Sequence, residues 1–208
     1  MSTESFDAAA ATWDDNPRRA EMTRRNAVAI AAAVDLRPDM RVLEFGCGTG
    51  ALSMLLAPNV GPIDAADTSE GMIDQLRRKL EASPELARKI RPRLLAGRLS
   101  EGLHEQWDLI YSAMVLHHIP DAEASVRHLA GRLAPGGHLA LIDLCAEDGS
   151  FHGDKEVPHH GFEPEYLAEI LEDAGLQAVT VRTVATIEKA VEDGSTREFP
   201  TFLLTARR

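Results

Sequence analysis

The residues with the clearest chemical potential lie in one short run, Val42-Leu43-Glu44-Phe45-Gly46-Cys47-Gly48-Thr49-Gly50. Glycines at alternate positions permit backbone angles closed to other residues. They also let a ligand approach the main chain with no Cβ in the way. A helix beginning directly afterwards leaves unpaired N–H groups near the same place. Further along, Asp67 ends an apolar run and offers a carboxylate able to accept both hydroxyls of a ribose. Gly46-x-Gly48-x-x-Ala51 also fits the dinucleotide fingerprint, so the loop alone leaves two ligand classes open. Glu44 directs a carboxylate toward the loop, where it repels a pyrophosphate and favours a cationic amino or sulfonium group. Met72, five residues after Asp67, supplies an apolar wall for a base.

A second group of residues suits proton transfer. Five of the eight histidines fall after two strand-like runs: His117 and His118 after one, His152, His159 and His160 after the next. Histidine is the natural proton acceptor near neutral pH, so these five are the candidates for a base or an acceptor-binding group. His152, His159 and His160 with Asp148 or Asp154 also offer metal ligands. Their spacing matches no compact ligand motif and no cysteine joins them, so no metal is assigned. His104, His128 and His138 read as surface or helix positions. Cys47 reads as a small side chain inside the glycine loop, not a nucleophile.

Strand-like runs alternating with helix-like runs must position these groups. Strands are expected at Arg41–Phe45, Val60–Ala66, Pro92–Ala96, Trp107–Ser112 and His138–Leu144. Helices are expected at Thr23–Val34, Ala51–Ala57, Ser69–Glu81, Asp121–Leu133 and Glu163–Ala174. Ala134-Pro135-Gly136-Gly137 reads as a turn, and Gly175 as a helix stop. Gln177–Ile187 and Phe199–Ala206 lack a helix between them and pair as a hairpin. The pattern predicts an α/β fold: a Rossmann-like, doubly wound, seven-stranded mixed sheet with the last strand antiparallel. Ligands of such sheets bind outside the carboxyl ends of the strands, where strand order reverses.

The chain of 208 residues suits one domain. Residues 1–39 form an N-terminal helical cap, 40–145 the ligand-binding core, 146–162 a lid or acceptor loop, and 163–208 a C-terminal helix and strand pair. Trp13 and Phe151 are the aromatic candidates for covering the site. Asp and Glu number 33 against 22 Lys and Arg, a formal net charge of −11. Phosphate binding requires a basic face, so neither nucleic acid nor an anionic membrane is expected as a partner. The basic residues at 77–93 read as a solvated helix face and loop. Two cysteines give no disulfide framework, and the first residues do not read as a signal peptide. A cytoplasmic location and a monomer or homodimer are expected.

Together, Glu44-x-Gly46-x-Gly48-x-Gly50, Asp67 with Met72, WDLIYSAMVLHHI (107–119) and Pro135-Gly136-Gly137 resemble the class I S-adenosylmethionine-dependent methyltransferases of the small-molecule kind. The resemblance implies S-adenosyl-L-methionine as cofactor, S-adenosyl-L-homocysteine as product and a small-molecule methyl acceptor. Gly46, Cys47 and Gly48 would hold the methionine part of the cofactor, with Glu44 near its amino group. Asp67 and Thr68 would take the ribose side, and Met72 would pack on adenine. Arg98 and Leu99 stand where the family often has an acid that reads adenine, so the backbone there would read it instead. Ser112 and Ala113 would line the sulfonium end. An NAD(P)-dependent oxidoreductase and a non-catalytic cofactor-binding activator subunit are the other classes the sequence admits.

Overall fold

The computed structural model describes residues 3–96, 102–192 and 194–208. Seven strands form one sheet in the order β3-β2-β1-β4-β5-β7-β6. They are β1 (Val42–Phe45), β2 (Ile63–Asp67), β3 (Ile90–Leu94), β4 (Trp107–Ala113), β5 (Leu133–Leu144), β6 (Gln177–Ala190) and β7 (Thr196–Arg207). β1 to β5 run parallel, and β7 runs antiparallel to both β5 and β6. The expected mixed sheet with its antiparallel last strand is the one observed.

Successive strand residues feed opposite faces, so apolar residues recur on both sides of each central strand. Leu43 and Phe45 of β1, with Leu139 and Leu141 of β5, join the core under α6 (Ala122–Gly131) and α7 (Pro164–Asp173). Val42, Ala140 and Ile142 join the other core, under α2 (Pro17–Ala33), α3 (Ala51–Leu56) and α4 (Glu70–Glu81). Strand order reverses between β1 and β4, which places the loops after these two strands at one crevice. A Cβ on Gly46 would lie 2.5 Å from the Val115 methyls, so the two loops touch there.

Several boundaries differ from the sequence expectation. β3 begins two residues earlier, at Ile90, and takes Pro92 into its ladder. It is an edge strand, where a residue without an N–H is tolerated. The expected turn at Ala134–Gly137 is a bulge within β5. The register passes from Trp107↔Leu133 to Leu109↔His138, and Gly136 absorbs the bend at φ +77°. α2 starts at Pro17, capped by Asn16, whose side chain accepts from the Arg18 N–H. The residues before it form α1 (Thr3–Ala9) and a 3-10 turn (Ala10–Asp15).

The segment after β5 has a firm base. Ala146 N–H donates to Phe162 O, Glu147 N–H to His160 O, and Phe162 N–H to Leu144 O. Its far end rests on the β6–β7 hairpin through an Asp148–Arg197 ion pair of 2.6 Å and the Lys189 ammonium on Phe151 O. Gly161 closes the base at φ +74°, and a Cβ there would fall inside contact distance of the Cys145 carbonyl. Gly161→Ala is therefore expected to lower unfolding free energy by about 2 kcal/mol or more, through a left-handed alanine plus a backbone clash. Urea denaturation checks this; a change within ~0.5 kcal/mol, the usual range for an unremarkable surface change, contradicts it.

Candidate active site

The glycine loop is built by left-handed residues. Gly46, Gly48 and Gly50 have φ of 75°, 53° and 76°. Gly46 and Cys47 both donate their N–H groups to Ala66 O, which turns the chain toward β2. Gly48 N–H donates to Asp67 Oδ2 at 2.7 Å, and Ser69 N–H to Asp67 Oδ1 at 2.9 Å. One carboxylate thus ties the loops after β1 and β2. Burial pushes the Asp67 carboxyl up, and these backbone N–H bonds oppose that rise. Met72 is buried, and its sulfur lies 4.0 Å from where a Gly48 Cβ would be. The Cys47 thiol is buried, its pKa raised by that burial, and it donates weakly to Gly48 O.

Glu44 departs from expectation. The alternation of β1 sends its side chain beneath the loop, between α3 and β4, where it is 3% exposed. Ser53 Oγ donates to its Oε2, and Tyr111 OH donates to the same oxygen at 3.3 Å. Burial pushes its pKa up to about 8. Below that pH the group is a neutral, pinned acid rather than a free charge facing the loop.

Ser112 Oγ donates to Phe45 O at 2.8 Å and locks the ends of β4 and β1 together. Ala113 follows it, half-buried, at the end of β4. Met114 then adopts φ +61°, a left-handed angle uncommon outside glycine. The bend leads into a 3-10 turn, Leu116–His118.

Asp143, near the end of β5, is fully buried and anchors this turn. Its carboxylate accepts from Leu116 N–H at 2.8 Å, His117 N–H at 3.4 Å and Leu144 N–H at 2.8 Å. His117 Nδ1 lies 2.5 Å from its Oδ1. A carboxylate there fixes the His117 tautomer with the proton on Nδ1.

The five candidate histidines divide. His117, His118 and His152 come together, with ring centroids 3.9, 5.0 and 5.3 Å apart. Burial pushes the His118 pKa down to about 2 and that of His152 to about 4, so both are neutral at pH 7. His159 and His160 do not join them. The His159 ring bonds Ile119 O and its N–H donates to His117 O, which clips the two post-strand loops together. His160 is half exposed, 3.6 Å from Glu147. The ligand grouping of His152, His159 and His160 with Asp148 or Asp154 is therefore replaced by His117, His118 and His152.

Aromatic rings continue from this cluster. Phe6 of α1 stands edge-on to His118 at 5.1 Å and to Trp13 at 5.7 Å, with the Arg19 guanidinium over Trp13. Phe151 contacts His152 and Phe199. Trp13 thus reaches the cluster through Phe6, and Phe151 touches it directly.

The N-terminal segment is pinned across the loops after β1 and β2. Asp7 accepts from Ser69 Oγ at 2.6 Å and Gly71 N–H at 2.9 Å. Asp14 accepts from Thr49 Oγ1 at 2.8 Å and pairs with Lys79 at 2.5 Å. Sequence reading missed Asp7, Asp14, Ser53, Tyr111 and Asp143. Only Asp143 carried a signal, a charge between Ile142 and Leu144 in an apolar run. Arg98 and Leu99 lie outside the described residues.

The loops after β1 and β2 thus meet at Asp67, and the loops after β4 and β5 meet at His117, His118 and His152. Residues 18–181 match a family described as methyltransferase domain, and the chain belongs to that family. The biotin biosynthesis bifunctional protein BioCD of Bordetella avium is 37% identical over 147 residues, covering 68% of this chain and 30% of that protein. The chain spans less than two thirds of the length of the first curated relatives it matches. Among solved structures, the YcgJ protein of Bacillus subtilis superposes with a TM-score of 0.71 at 13% identity, over 89% of this chain and 98% of that one. Magnesium protoporphyrin IX methyltransferase from Synechocystis PCC 6803, solved with bound SAM, gives 0.62 at 24% identity, over 92% and 80%.

Glu44 makes stability depend on pH. Its folded pKa, about 8, lies above the ordinary 4.5, so the folded state binds the extra proton between those values. That stabilisation is full below pH 4.5 and is lost as pH rises through 8. Glu44→Gln, which mimics the neutral acid, should be increasingly favoured over wild type from pH 5 to pH 8. Thermal melts of both proteins across that range check it; parallel curves contradict it.

Proposed function

We propose that the protein transfers a methyl group from S-adenosyl-L-methionine to a small-molecule acceptor by in-line displacement. The observation that carries this reading is the Asp67 carboxylate bridging Gly48 and Ser69 N–H groups at the strand-order reversal. Family membership and the likeness to a methyltransferase solved with SAM support the cofactor. When bound, the cofactor supplies an electrophilic methyl on a positively charged sulfur.

The chain's residues then divide the work. The backbone of Gly46, Cys47 and Gly48 lines the methionine part, and Asp67 with Thr68 receives the ribose hydroxyls through lone pairs left beside its backbone bonds. Met72 packs on the base. Glu44 lies close under the loop, where a bound ammonium group favours its ionised form. Ser112 and Ala113 line the approach to the sulfur, and Ser112 acts by fixing β4 against β1. His117, His118 and His152 form the acceptor wall. The neutral His118 and His152 rings present lone pairs rather than charge, and Phe6 and Phe151 pack on them, with Trp13 behind Phe6. Alignment of nucleophile, methyl and sulfur supplies most of the rate enhancement such a displacement needs.

The net charge of −11 favours a metabolite over a nucleic acid as acceptor. Among the described residues no helix is long and apolar enough to cross a membrane, and a cytoplasmic setting fits this reading.

Calorimetric titration with S-adenosylhomocysteine tests the proposal, with NADH as the control. Binding near micromolar, about −8 kcal/mol, is expected for the first and none for the second. Asp67→Ala should weaken the complex by roughly 1.5–3 kcal/mol, the range for charge-assisted hydrogen bonds. Unchanged affinity in that variant, or a preference for NADH, contradicts the assignment.

A further inference from the structure

We infer that His117, His118 and His152 form a binding site for a single divalent transition-metal ion of the zinc type, with Asp143 as the carboxylate behind His117. One ring nitrogen from each histidine lies within 4.8 Å of the other two. His118 Nδ1 and His152 Nε2 are buried and have no hydrogen-bond partner among the described residues. Two orphaned ring nitrogens in one cluster call for a shared occupant, because buried polar atoms are ordinarily paired. The third ring completes the set: His117 Nδ1 is held by Asp143, which leaves Nε2 free as a donor of electrons. A carboxylate behind a ligating histidine is the usual support of such a metal, fixing the tautomer and raising ligand basicity.

The donor set selects the ion. Imidazole nitrogens without thiolate suit zinc and its first-row neighbours, while calcium and magnesium require oxygen. In a tetrahedral zinc site the nitrogens stand about 3.3 Å apart, from metal–nitrogen bonds of ~2.0–2.1 Å. The rings must therefore close by up to about 1.5 Å on metal binding. His152 sits on the loop between β5 and α7, where such a shift needs no movement of the sheet.

Three protein ligands leave a fourth position open, the pattern of metals that act on a substrate. That position fits the oxygen of a hydroxylated acceptor such as a phenol or an enol. The ion lowers the hydroxyl pKa, and the proton passes to water. An oxygen lone pair then forms the bond to the methyl carbon. The carbon–sulfur bond breaks with its electron pair left on sulfur, which discharges the sulfonium. This role rests on the methyl-transfer reading, whereas the metal site rests on the three histidines alone.

The test uses the full chain after chelator treatment, titrated calorimetrically with Zn²⁺ alone, and with Co²⁺ followed by visible absorption. One equivalent per chain is expected, with the intense absorption of low-coordinate cobalt. His152→Ala should weaken zinc binding at least tenfold, and His160→Ala, a histidine outside the cluster, should leave it unchanged. The absence of stoichiometric binding, equal affinity in His152→Ala, or an equal loss in His160→Ala overturns the site. S-adenosylhomocysteine is titrated into the same metal-free sample. If it binds and zinc does not, the metal inference falls and the methyl-transfer reading stands. If zinc binds and S-adenosylhomocysteine does not, the reverse holds.

Discussion

A buried carboxylate organises the turn after β4. Asp143 is 0% exposed, between two apolar residues of a central strand. A charge there is costly unless donors surround it, and removing one partner costs several kcal/mol more than an exposed pair would. Its donors come from Leu116, His117 and Leu144. The turn after β4 is therefore compelled to fold against β5, and the left-handed Met114 is the bend that lets it do so. His117 is thereby fixed in place and tautomer. His118 follows one residue later, and the loop after β5 returns His152 to the same point.

The cofactor side depends on a parallel device. Asp67 satisfies N–H groups from two loops, so the geometry a ribose would meet is set before any ligand arrives. Asp7 and Asp14 then fasten the N-terminal segment over those loops, and Phe6 from that segment reaches the histidine cluster. The same cap thus touches both halves of the crevice. An in-line displacement benefits from such a cover, because it holds reactants aligned and excludes water. The hydrogen bonds that hold the segment are part-buried or exposed.

Much of the fold was legible because parallel strands buried on both faces read as apolar runs, and glycines after β1 announce their own backbone angles. Pro92 misled the placement of β3, since proline usually ends a strand and an edge strand tolerates it. Pro135-Gly136-Gly137 carries the same chemistry for a turn and for a bulge, and only the pairing with β4 separates the two. The site was legible in part. Glycine loop and Asp67 announce themselves locally. The contacts of Glu44 with Ser53 and Tyr111 are not legible locally, because they depend on the alternation of β1 and on the packing of α3 and β4. The grouping of histidines could not come from spacing, as His152 joins His117 and His118 only through the return of a long loop, while the nearer-seeming His159 is spent on backbone carbonyls. Asp7 and Asp14 look like any solvated acids in an acidic chain, and only tertiary contact gives them a task.

The central claim is that one crevice holds the cofactor on Asp67 and the glycine loop and presents its sulfur to the histidine cluster. A crystal structure with S-adenosylhomocysteine bound tests it most directly. The account predicts the homocysteine along Gly46–Gly48, the ribose hydroxyls on Asp67, and the sulfur facing His117, His118 and His152. A sulfur turned away from those three rings, or a ligand seated outside the crevice, would contradict it.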